Sequence, residues 1–196
     1  MKKERIEELF TSQDGALMIC VGSWYAYNSC NSHALGSFYN GHYYINFSLL
    51  EDGEELIELL KALGWTSQEI EELFIQDYDG DDWIKFNNCD YINPYYLANQ
   101  IAEHRDEIED NKQLIAALFD VGIYSGLDEL LEDADDAFNN YIYYDESPED
   151  YMREITEDSY NIPDALAYYI DYEAMARDEI LSGYIEEANG GTLVRL

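Results

Sequence analysis

Apolar positions in the first part of the chain follow both the strand and the helix period. The continuously apolar run 16–22 predicts a buried strand, and 73–80 (LFIQDYDG) predicts another. Between them, over 23–47, aromatic runs alternate with Asn, Gly and Ser, which is typical of short antiparallel strands joined by turns. Residues 1–14 are predicted to form a helical extension that precedes this module.

Helical spacing appears between the two strand-like runs, in the segment 52–65. One face carries four apolar residues and a glycine, Gly64, stops the helix. The next helix begins with a capping-box pattern, Thr66 followed by Glu69. The apolar face of the first helix comprises Leu56, Ile57, Leu60 and Leu63.

Helical spacing dominates from residue 93 to residue 138. Asn93 is a good N-cap and Pro94 suits the first helical position. A second helix is predicted over 111–120, ending at Gly122, and a third begins with a capping pair, Ser125 and Asp128. The apolar positions of the first helix are Leu97, Ile101 and Ile108, and those of the third are Leu127, Leu130, Leu131, Ala134 and Phe138.

The last part of the chain mixes the two periods again. The segment 139–146 (NNYIYYDE) predicts a strand and 147–160 an acidic helix, and 162–185 predicts a long helix that runs into a short strand. The sequence therefore predicts an α+β fold, an elongated chain of three small modules. The expected divisions are 1–14 (extension), 15–87 (N-terminal α/β sheet module), 88–138 (central helical module) and 139–196 (C-terminal α+β module).

Charge changes this picture more than any other property of the composition. The 196 residues include 43 Asp and Glu but only 10 Lys and Arg, a net charge of −33, and the acidic residues are spread over all three modules. Disordered acidic chains are poor in aromatic residues, whereas this chain is 15% aromatic and 47% hydrophobic, so it should fold. Direct nucleic-acid binding is excluded because it needs cations against phosphates, and the expected partner is a basic surface or a cation.

Cysteine usage and hydropathy indicate a cytoplasmic protein. Cys20, Cys30 and Cys89 lack metal-ligand spacing and are expected to be reduced thiols. No apolar run reaches the length of a membrane span, and the charged N-terminus is typical of a helix rather than of a signal peptide.

The segment 125–151 is acidic and contains no Lys or Arg. In its predicted helix, Asp128 and Glu132, Glu129 and Asp133, and Glu132 and Asp136 are like-charge pairs four apart, each costing about 0.2–0.5 kcal/mol. One interpretation is a solvated face or an adaptation to high salt. The other is that the charge itself is used, because carboxylates four apart on a helix lie about 6 Å apart. That spacing is comparable with the charge spacing of a nucleic-acid backbone.

Calcium binding and catalysis are two other kinds of chemistry that an acidic sequence can indicate. Asp77, Asp79 and Asp81 alternate as in a calcium loop, but the sixth and twelfth positions hold Asp82 and Asn88 instead of Gly and Glu. Catalysis has little support, since paired carboxylates are common in any chain this acidic and no phosphate loop or nucleophile elbow occurs. The three histidines, His33, His42 and His104, have no ligand spacing, so neither a metal nor a cofactor is expected.

Several separated motifs lie in collinear order over residues 16–196, among them Tyr27–Asn28, 35–38 (LGSF) and 74–80 (FIQDYDG). Together they resemble the ArdA-type antirestriction proteins. Residues 162–178 are similar to the pattern Pro-x-x-Leu-x-x-Tyr-Ile-Asp-Tyr-x-Ala-x-Gly-Arg-Asp, with Ala176 in place of the glycine. Residues 126–141 resemble the segment known as the antirestriction motif.

The resemblance implies a DNA mimic carried by mobile genetic elements, with no catalytic activity. Three modules would form a curved chain and two chains a homodimer, whose carboxylates imitate the phosphates of bent B-form DNA. The implied partner is a Type I restriction–modification enzyme, chiefly its methyltransferase core with the specificity subunit, in the cytoplasm of a bacterial host. A calcium-binding module and an acidic inhibitor of another DNA-binding protein, such as a nucleoid protein or a CRISPR effector, are the alternatives.

We therefore expect two sets of site residues. The expected phosphate-mimicking carboxylates, hereafter the anion set, are Asp77, Asp79, Asp128, Glu129, Glu132, Asp133, Asp135, Asp136, Asp145, Glu146, Glu149, Asp150, Glu154, Glu157, Asp158, Asp171, Glu173 and Asp178. The expected dimer contact consists of the apolar residues Leu118, Phe119, Leu127, Leu131 and Phe138.

Overall fold

The computed structural model describes residues 1–12, 17–30, 35–81 and 83–196. They combine helices with small antiparallel sheets, which confirms the α+β class. The described residues separate into two compact units: unit 1 comprises 1–110 and 125–132, and unit 2 comprises 111–124 and 133–196. The division into three modules stays a prediction.

Unit 1 is built on an antiparallel sheet of order β2–β1–β3, with β1 in the centre. Every residue of β1 is buried, as its apolar run predicts. The strands are β1 (Met18–Ser23), β2 (Ile45–Asn46) and β3 (Leu73–Asp79). The helices are α1 (Lys3–Thr11), α2 (Trp24–Asn28), α3 (Gly53–Ala62), α4 (Ser67–Glu71), α5 (Pro94–Glu103), α6 (Arg105–Asp110) and α8 (Leu127–Glu132), and 3₁₀ turns cover Phe47–Leu49 and Cys89–Tyr91.

Unit 2 is built on an antiparallel sheet of order β4–β6–β5. Tyr151 and Met152 of one helix pack with Ala176 of another against Ile185 and Val194 of this sheet. The strands are β4 (Tyr141–Tyr144), β5 (Ile185–Ala188) and β6 (Gly191–Arg195). The helices are α7 (Lys112–Asp120), α9 (Ala134–Asn139), α10 (Pro148–Ser159), α11 (Asp164–Ala167) and α12 (Tyr172–Ser182).

Local signals in the sequence set several helix ends. The Thr66 hydroxyl accepts from the Glu69 N–H and the Glu69 carboxylate accepts from the Thr66 N–H, so the predicted capping box is confirmed. Asn93 accepts from the Tyr95 N–H at 2.9 Å with Pro94 in the first turn, also as predicted. Gly64 ends α3 with a φ of 94°, a conformation that glycine adopts at little cost.

The predicted strand pattern over 23–47 was wrong at its beginning. Residues 24–28 form α2, because the Ser23 hydroxyl accepts from the Ala26 N–H at 3.3 Å and caps a helical turn. The Trp24 ring stacks on Phe74 with 4.2 Å between centroids, which holds this turn against the sheet. Later in the segment, β2 does pair antiparallel with β1.

The prediction of a single helix over Leu127–Phe138 was also wrong. The chain forms α8 and α9, which are interrupted at Asp133, where it passes from unit 1 to unit 2. Leu127, Leu130 and Leu131 are buried in unit 1, and Ala134 is buried in unit 2. The apolar stripe that suggested one helix therefore serves two cores.

Two features of the C-terminal region differ from the prediction. The long helix expected over 162–185 is divided into α11 and α12, because the Asp171 carboxylate accepts from the Ala174 N–H at 2.9 Å and starts a new helix. Strand β6 was missed. Its hairpin with β5 turns at Asn189 and Gly190, whose φ values of 49° and 80° fit the Asn-Gly turn that the sequence displays.

Helix α1 is an integral part of unit 1, although its segment was expected to be an extension. Ile6, Leu9 and Phe10 are buried. The Arg5 guanidinium donates to both carboxylate oxygens of Glu55, at 2.8 and 2.9 Å, and also to the Leu49 carbonyl at 2.6 Å. Burial opposes the charge on Glu55, but the hydrogen bonds from Arg5 and from a backbone N–H lower the pKa of this carboxyl below its ordinary value.

We expect Arg5→Gln to lower the free energy of unfolding of unit 1 by about 1.5–3 kcal/mol, since it removes charged hydrogen bonds between partly buried groups. The contribution of this pair is present at neutral pH and is lost as the pH falls through the lowered pKa of Glu55. Urea unfolding followed by tryptophan fluorescence at several pH values measures it. Lys3→Gln removes the same charge from an exposed position of α1 and should change the stability little; equal effects of the two variants would contradict the role given to Arg5.

Candidate functional site

The anion set lies almost entirely on the surface. All of its members are exposed except Asp128, which is partly buried. Their side chains can therefore face a partner, but several also make hydrogen bonds within their own unit. These bonds decide which carboxylates are held in place and which are free to respond to a ligand.

On α8, two of the three carboxylates are fixed by hydrogen bonds. Asp128 accepts from the Asn87 N–H at 3.2 Å, and Glu129 accepts from the Ser125 N–H at 2.8 Å and from the Ser125 hydroxyl. Ser125 therefore pairs with Glu129, whereas the sequence predicted a capping pair of Ser125 and Asp128. These bonds lower the pKa of Glu129 and keep the carboxylate charged.

The N-terminus of α8 is docked on residues 85–87. The Leu127 N–H donates to the Lys85 carbonyl at 2.7 Å. A β-carbon at Gly126 would lie 2.7 Å from the Asn87 nitrogen and 3.0 Å from the carbonyl carbon of Phe86, so only glycine permits this approach. The acidic side of α8 is thereby held at a defined place on unit 1.

The acidic end of β3 holds Asp77 and Asp79. Asp77 accepts from the Tyr44 hydroxyl at 2.6 Å, and this bond raises the pKa of Tyr44 to about 12. The tyrosine thus remains a hydrogen-bond donor over the physiological pH range and orients the carboxylate. Asp82 of the suggested calcium loop lies outside the described residues, as does His33.

In unit 2, the carboxylates of α9 and its cap differ in their bonding. Asp133 accepts from the Tyr124 hydroxyl at 3.1 Å, and burial together with this bond raises the pKa of Tyr124. Asp136 accepts from the Asn140 side chain. Asp135 is exposed, and its carboxylate is available to a partner.

Five carboxylates line a cleft of about 530 Å³ beside α10. Arg153 donates to Glu149 and Asp150, both at 2.8 Å, and its guanidinium lies 5.3 Å from the centre of the Tyr172 ring. Glu146 lies beside Glu154, and the charge of Glu154 raises the pKa of Glu146. Asp145 and Glu157 line the same cleft.

Helix α12 and its N-cap carry three further members of the anion set, and Asp158 is exposed on α10. Asp171 is used as the N-cap of α12, whereas Glu173 and Asp178 are exposed. The anion set is thus divided between residues with structural partners and residues that only contribute charge.

The residues expected to form a dimer contact lie mostly inside their own units. Leu118 and Leu127 are fully buried, and Phe119 and Leu131 are 8% and 3% exposed. Phe138 is partly buried. Burial makes four of these five side chains part of the chain's own cores, and the contact itself stays a prediction.

Several large side chains that belong to neither expected set of site residues are exposed in the structure. In unit 1, Tyr91 is 89% exposed and Tyr96 is 65% exposed. In unit 2, the exposed fractions of Leu166, Tyr168 and Tyr169 are 57%, 91% and 81%. Only Tyr96 had a readable signal, because it lies one position off the stripe that contains Leu97 and Ile101.

Metal ligation and membrane insertion find no support in the described ranges. No group of three or more His, Cys, Asp or Glu residues there could hold a metal ion. Cys20 is buried, Cys30 exposed and Cys89 partly buried, and all three are free thiols. None of the helices in the described part of the chain has the length and apolar character that crossing a bilayer requires.

Comparison with known proteins identifies one family. The family model described as "Antirestriction protein (ArdA)" matches residues 19–194. A comparison with curated proteins gave no match. The family match begins after α1, so the helix that packs into unit 1 lies outside it.

The repulsion between Glu146 and Glu154 gives a test of whether surface charge here opposes stability. We expect Glu146→Gln to raise the melting temperature at neutral pH, because it removes a charge from a pair in which ionisation is disfavoured. The pKa of Glu146 is raised in the folded chain, so ionised Glu146 destabilises the fold above that pKa. This destabilisation is relieved as the pH falls through the pKa, and the rise in melting temperature caused by Glu146→Gln should therefore shrink in acid. Thermal unfolding followed by circular dichroism measures this gain.

The matched control for this pair is Glu187→Gln, which removes one charge from an exposed position of β5 in the same unit. An equal rise in melting temperature for both variants would mean that only net charge matters. That result would contradict a specific repulsion between Glu146 and Glu154.

Proposed function

The chain belongs to the ArdA family of antirestriction proteins, and we propose that it protects DNA by presenting its carboxylates as a substitute for DNA phosphates. The family implies interaction with restriction–modification enzymes. Our proposal is that the partner is a Type I enzyme and that the carboxylates occupy its DNA-binding groove, on the methyltransferase core with its specificity subunit. The chain would act by binding alone, without catalysis, in the cytoplasm of a bacterial cell.

The observation that carries this proposal is the exposure of the anion set on folded elements. A net charge of −33 is distributed over helices and strand ends whose apolar sides are buried. A basic groove that binds DNA gains free energy by releasing counterions, and a fixed array of carboxylates can compete for the same cations. If the array has the curvature of bent DNA, it also avoids the cost of bending a duplex, about 1–6 kcal/mol.

Internal hydrogen bonds support a fixed array. Asp77, Asp128, Glu129 and Asp133 each accept from a donor in their own unit. Carboxylates that are already positioned lose less conformational entropy when they meet a partner.

We propose that the chain acts as a homodimer, with a contact different from the one expected from the sequence. Leu166, Tyr168 and Tyr169 are the exposed apolar and aromatic residues around α11, a helix without a buried residue. Two such acidic chains repel each other, so their association needs apolar or aromatic contact to offset the charge.

We expect Tyr168→Ser combined with Tyr169→Ser to weaken self-association by about tenfold or more, as loss of exposed aromatic anchors does at protein interfaces. Analytical ultracentrifugation over a concentration series measures it. Tyr91→Ser, at an equally exposed position of unit 1, is the control and should leave association unchanged. A chain that is monomeric throughout would contradict the dimer.

The inhibitory mechanism predicts competition with DNA that depends on salt. The chain should displace a DNA duplex from a purified Type I enzyme, and its affinity for the enzyme should fall by orders of magnitude between about 50 and 200 mM salt. Fluorescence anisotropy of labelled DNA measures the displacement. Displacement that is insensitive to salt would contradict mimicry. Failure with the Type I enzyme together with displacement of a nucleoid protein or a CRISPR effector would favour the alternative partner class.

Two variants with five neutralised carboxylates each separate the array from net charge. The first neutralises exposed members of the anion set that neither cap a helix nor pair with Arg153 or a tyrosine hydroxyl, and it should weaken displacement strongly: Asp135, Asp145, Asp158, Glu173 and Asp178. The second neutralises exposed carboxylates outside the set and should weaken displacement less: Glu4, Glu7, Glu58, Glu71 and Glu72. Equal losses would show that position does not matter.

A further inference from the structure

A groove of about 680 Å³ opens on the surface of unit 1 and contains more than acidic residues. Tyr96, Gln100 and Glu103 of α5 line it together with Asp128 and Glu132 of α8. Tyr91, from the 3₁₀ turn before α5, also lines it. A concave site has different requirements for a ligand from those of a flat charged surface.

The charge of the groove selects a cation. Glu103, Asp128 and Glu132 contribute carboxylates, and the described residues that line the groove include neither Lys nor Arg. Asp128 and Glu132 are four residues apart on α8 and so lie on the same side of the helix. A cleft lined by one sign of charge concentrates its field and attracts the opposite charge.

The aromatic rings are an independent indication of the same ligand class. Tyr91 and Tyr96 are 89% and 65% exposed, so both rings are accessible to a ligand. The face of an aromatic ring attracts a cation, and a planar guanidinium can also stack on it. Exposed rings beside carboxylates provide both parts of such a site.

A metal ion fits this groove poorly. Across the described ranges of the chain, Glu103, Asp128 and Glu132 do not come together as a metal-holding group. A ligand that joins these carboxylates must therefore be larger than an ion and carry several donors.

The groove is held open before any ligand arrives. Asp128 accepts from the Asn87 N–H at 3.2 Å, which fixes α8 to the loop before the 3₁₀ turn. Asn99 on α5 accepts from the Gly53 N–H at 2.8 Å, which fixes the other wall. A preformed site spends little free energy on ordering when it binds.

We propose that this groove receives an arginine side chain from a basic loop of the partner protein. The guanidinium stacks on Tyr91 or Tyr96 and donates to Asp128 and Glu132, while the rest of the anion set faces the partner's other cations. This proposal rests on the proposed function, since it names a point of recognition within the same acidic surface. Lysine fits less well because its ammonium cannot stack and has no planar fork.

The test uses the full chain and three blocked tripeptides: acetyl-Gly-Arg-Gly-amide and its counterparts with lysine and with citrulline in the centre. Citrulline has nearly the shape of arginine without its charge. Backbone NMR shifts should move around residues 87–103 and 128–132 with the arginine peptide, less with lysine and not with citrulline. Equal binding of lysine or citrulline, or shifts spread evenly over both units, would overturn the proposal.

Variants assign the binding to the rings and to the carboxylates. Tyr96→Leu keeps apolar bulk without a ring and should weaken arginine-peptide binding by about two- to fivefold. Glu132→Gln should weaken it by a similar factor of about two to five. The controls are Tyr160→Leu and Glu187→Gln, which make the same changes at exposed positions of unit 2 and should leave binding unchanged. Equal losses in the controls would reduce the effect to general charge and contradict the groove.

Failure of this proposal differs from failure of the proposed function. Tyr96→Leu leaves the net charge at −33, so a chain that acted by charge alone would still displace DNA fully from the restriction enzyme after this substitution. Full displacement by the variant would show that the groove is not part of the interface. Weaker displacement by Tyr96→Leu, with Tyr160→Leu unaffected, would support the proposal. Peptide binding without any displacement of DNA by the unaltered chain would instead overturn the proposed function.

Discussion

Mutual repulsion of carboxylates is the constraint on which the rest of this structure depends. With 43 acidic and 10 basic residues, the chain cannot pair its charges, and compaction works against a net charge of −33. Apolar burial must therefore provide the stability, as the fully buried strand β1 and the interior of unit 2 illustrate. One of the few cations, Arg5, is used inside unit 1 to join α1 to Glu55 and to the Leu49 carbonyl.

Helix ends show how some of the anions are made useful to the fold. Asp52 accepts from the Glu55 N–H and Asp171 from the Ala174 N–H, so both carboxylates satisfy free donors where the helix dipole favours negative charge. Asp135 and Glu173 lie in the first turns of α9 and α12, where the helix dipole favours negative charge, but neither residue is the cap of its helix. Glu146, whose ionisation is opposed by Glu154, is the clearest case of charge kept at a cost. An anion that destabilises the folded chain is better explained by a role in binding a partner. The proposed interface therefore consists of exposed anions.

The sequence predicted those elements whose signals are local. The capping box at Thr66, the Asn93–Pro94 helix start and the apolar strand β1 depend on neighbours within a few residues, so their patterns could be read directly. The interruption at Asp133 could not, because Leu131 and Ala134 continue one helical stripe while belonging to different cores. The Asn189–Gly190 turn was readable and was overlooked. For the candidate site, charge predicted which carboxylates would be exposed, but the exposure of Tyr91 and Tyr168 depends on packing that no local pattern encodes.

Charge alone gives an inhibitor affinity and speed but little choice of partner. An anionic surface attracts any basic protein, and the attraction weakens with salt for every one of them. Discrimination requires contacts that a wrong partner leaves unsatisfied. The groove between α5 and α8 has this property, because a loop without a cation would bury the Glu132 carboxylate without a charged donor, at a cost in desolvation. The anion set would then provide affinity and the groove would provide specificity. Removing one tyrosine ring from the groove would change the choice of partner while the net charge stays the same.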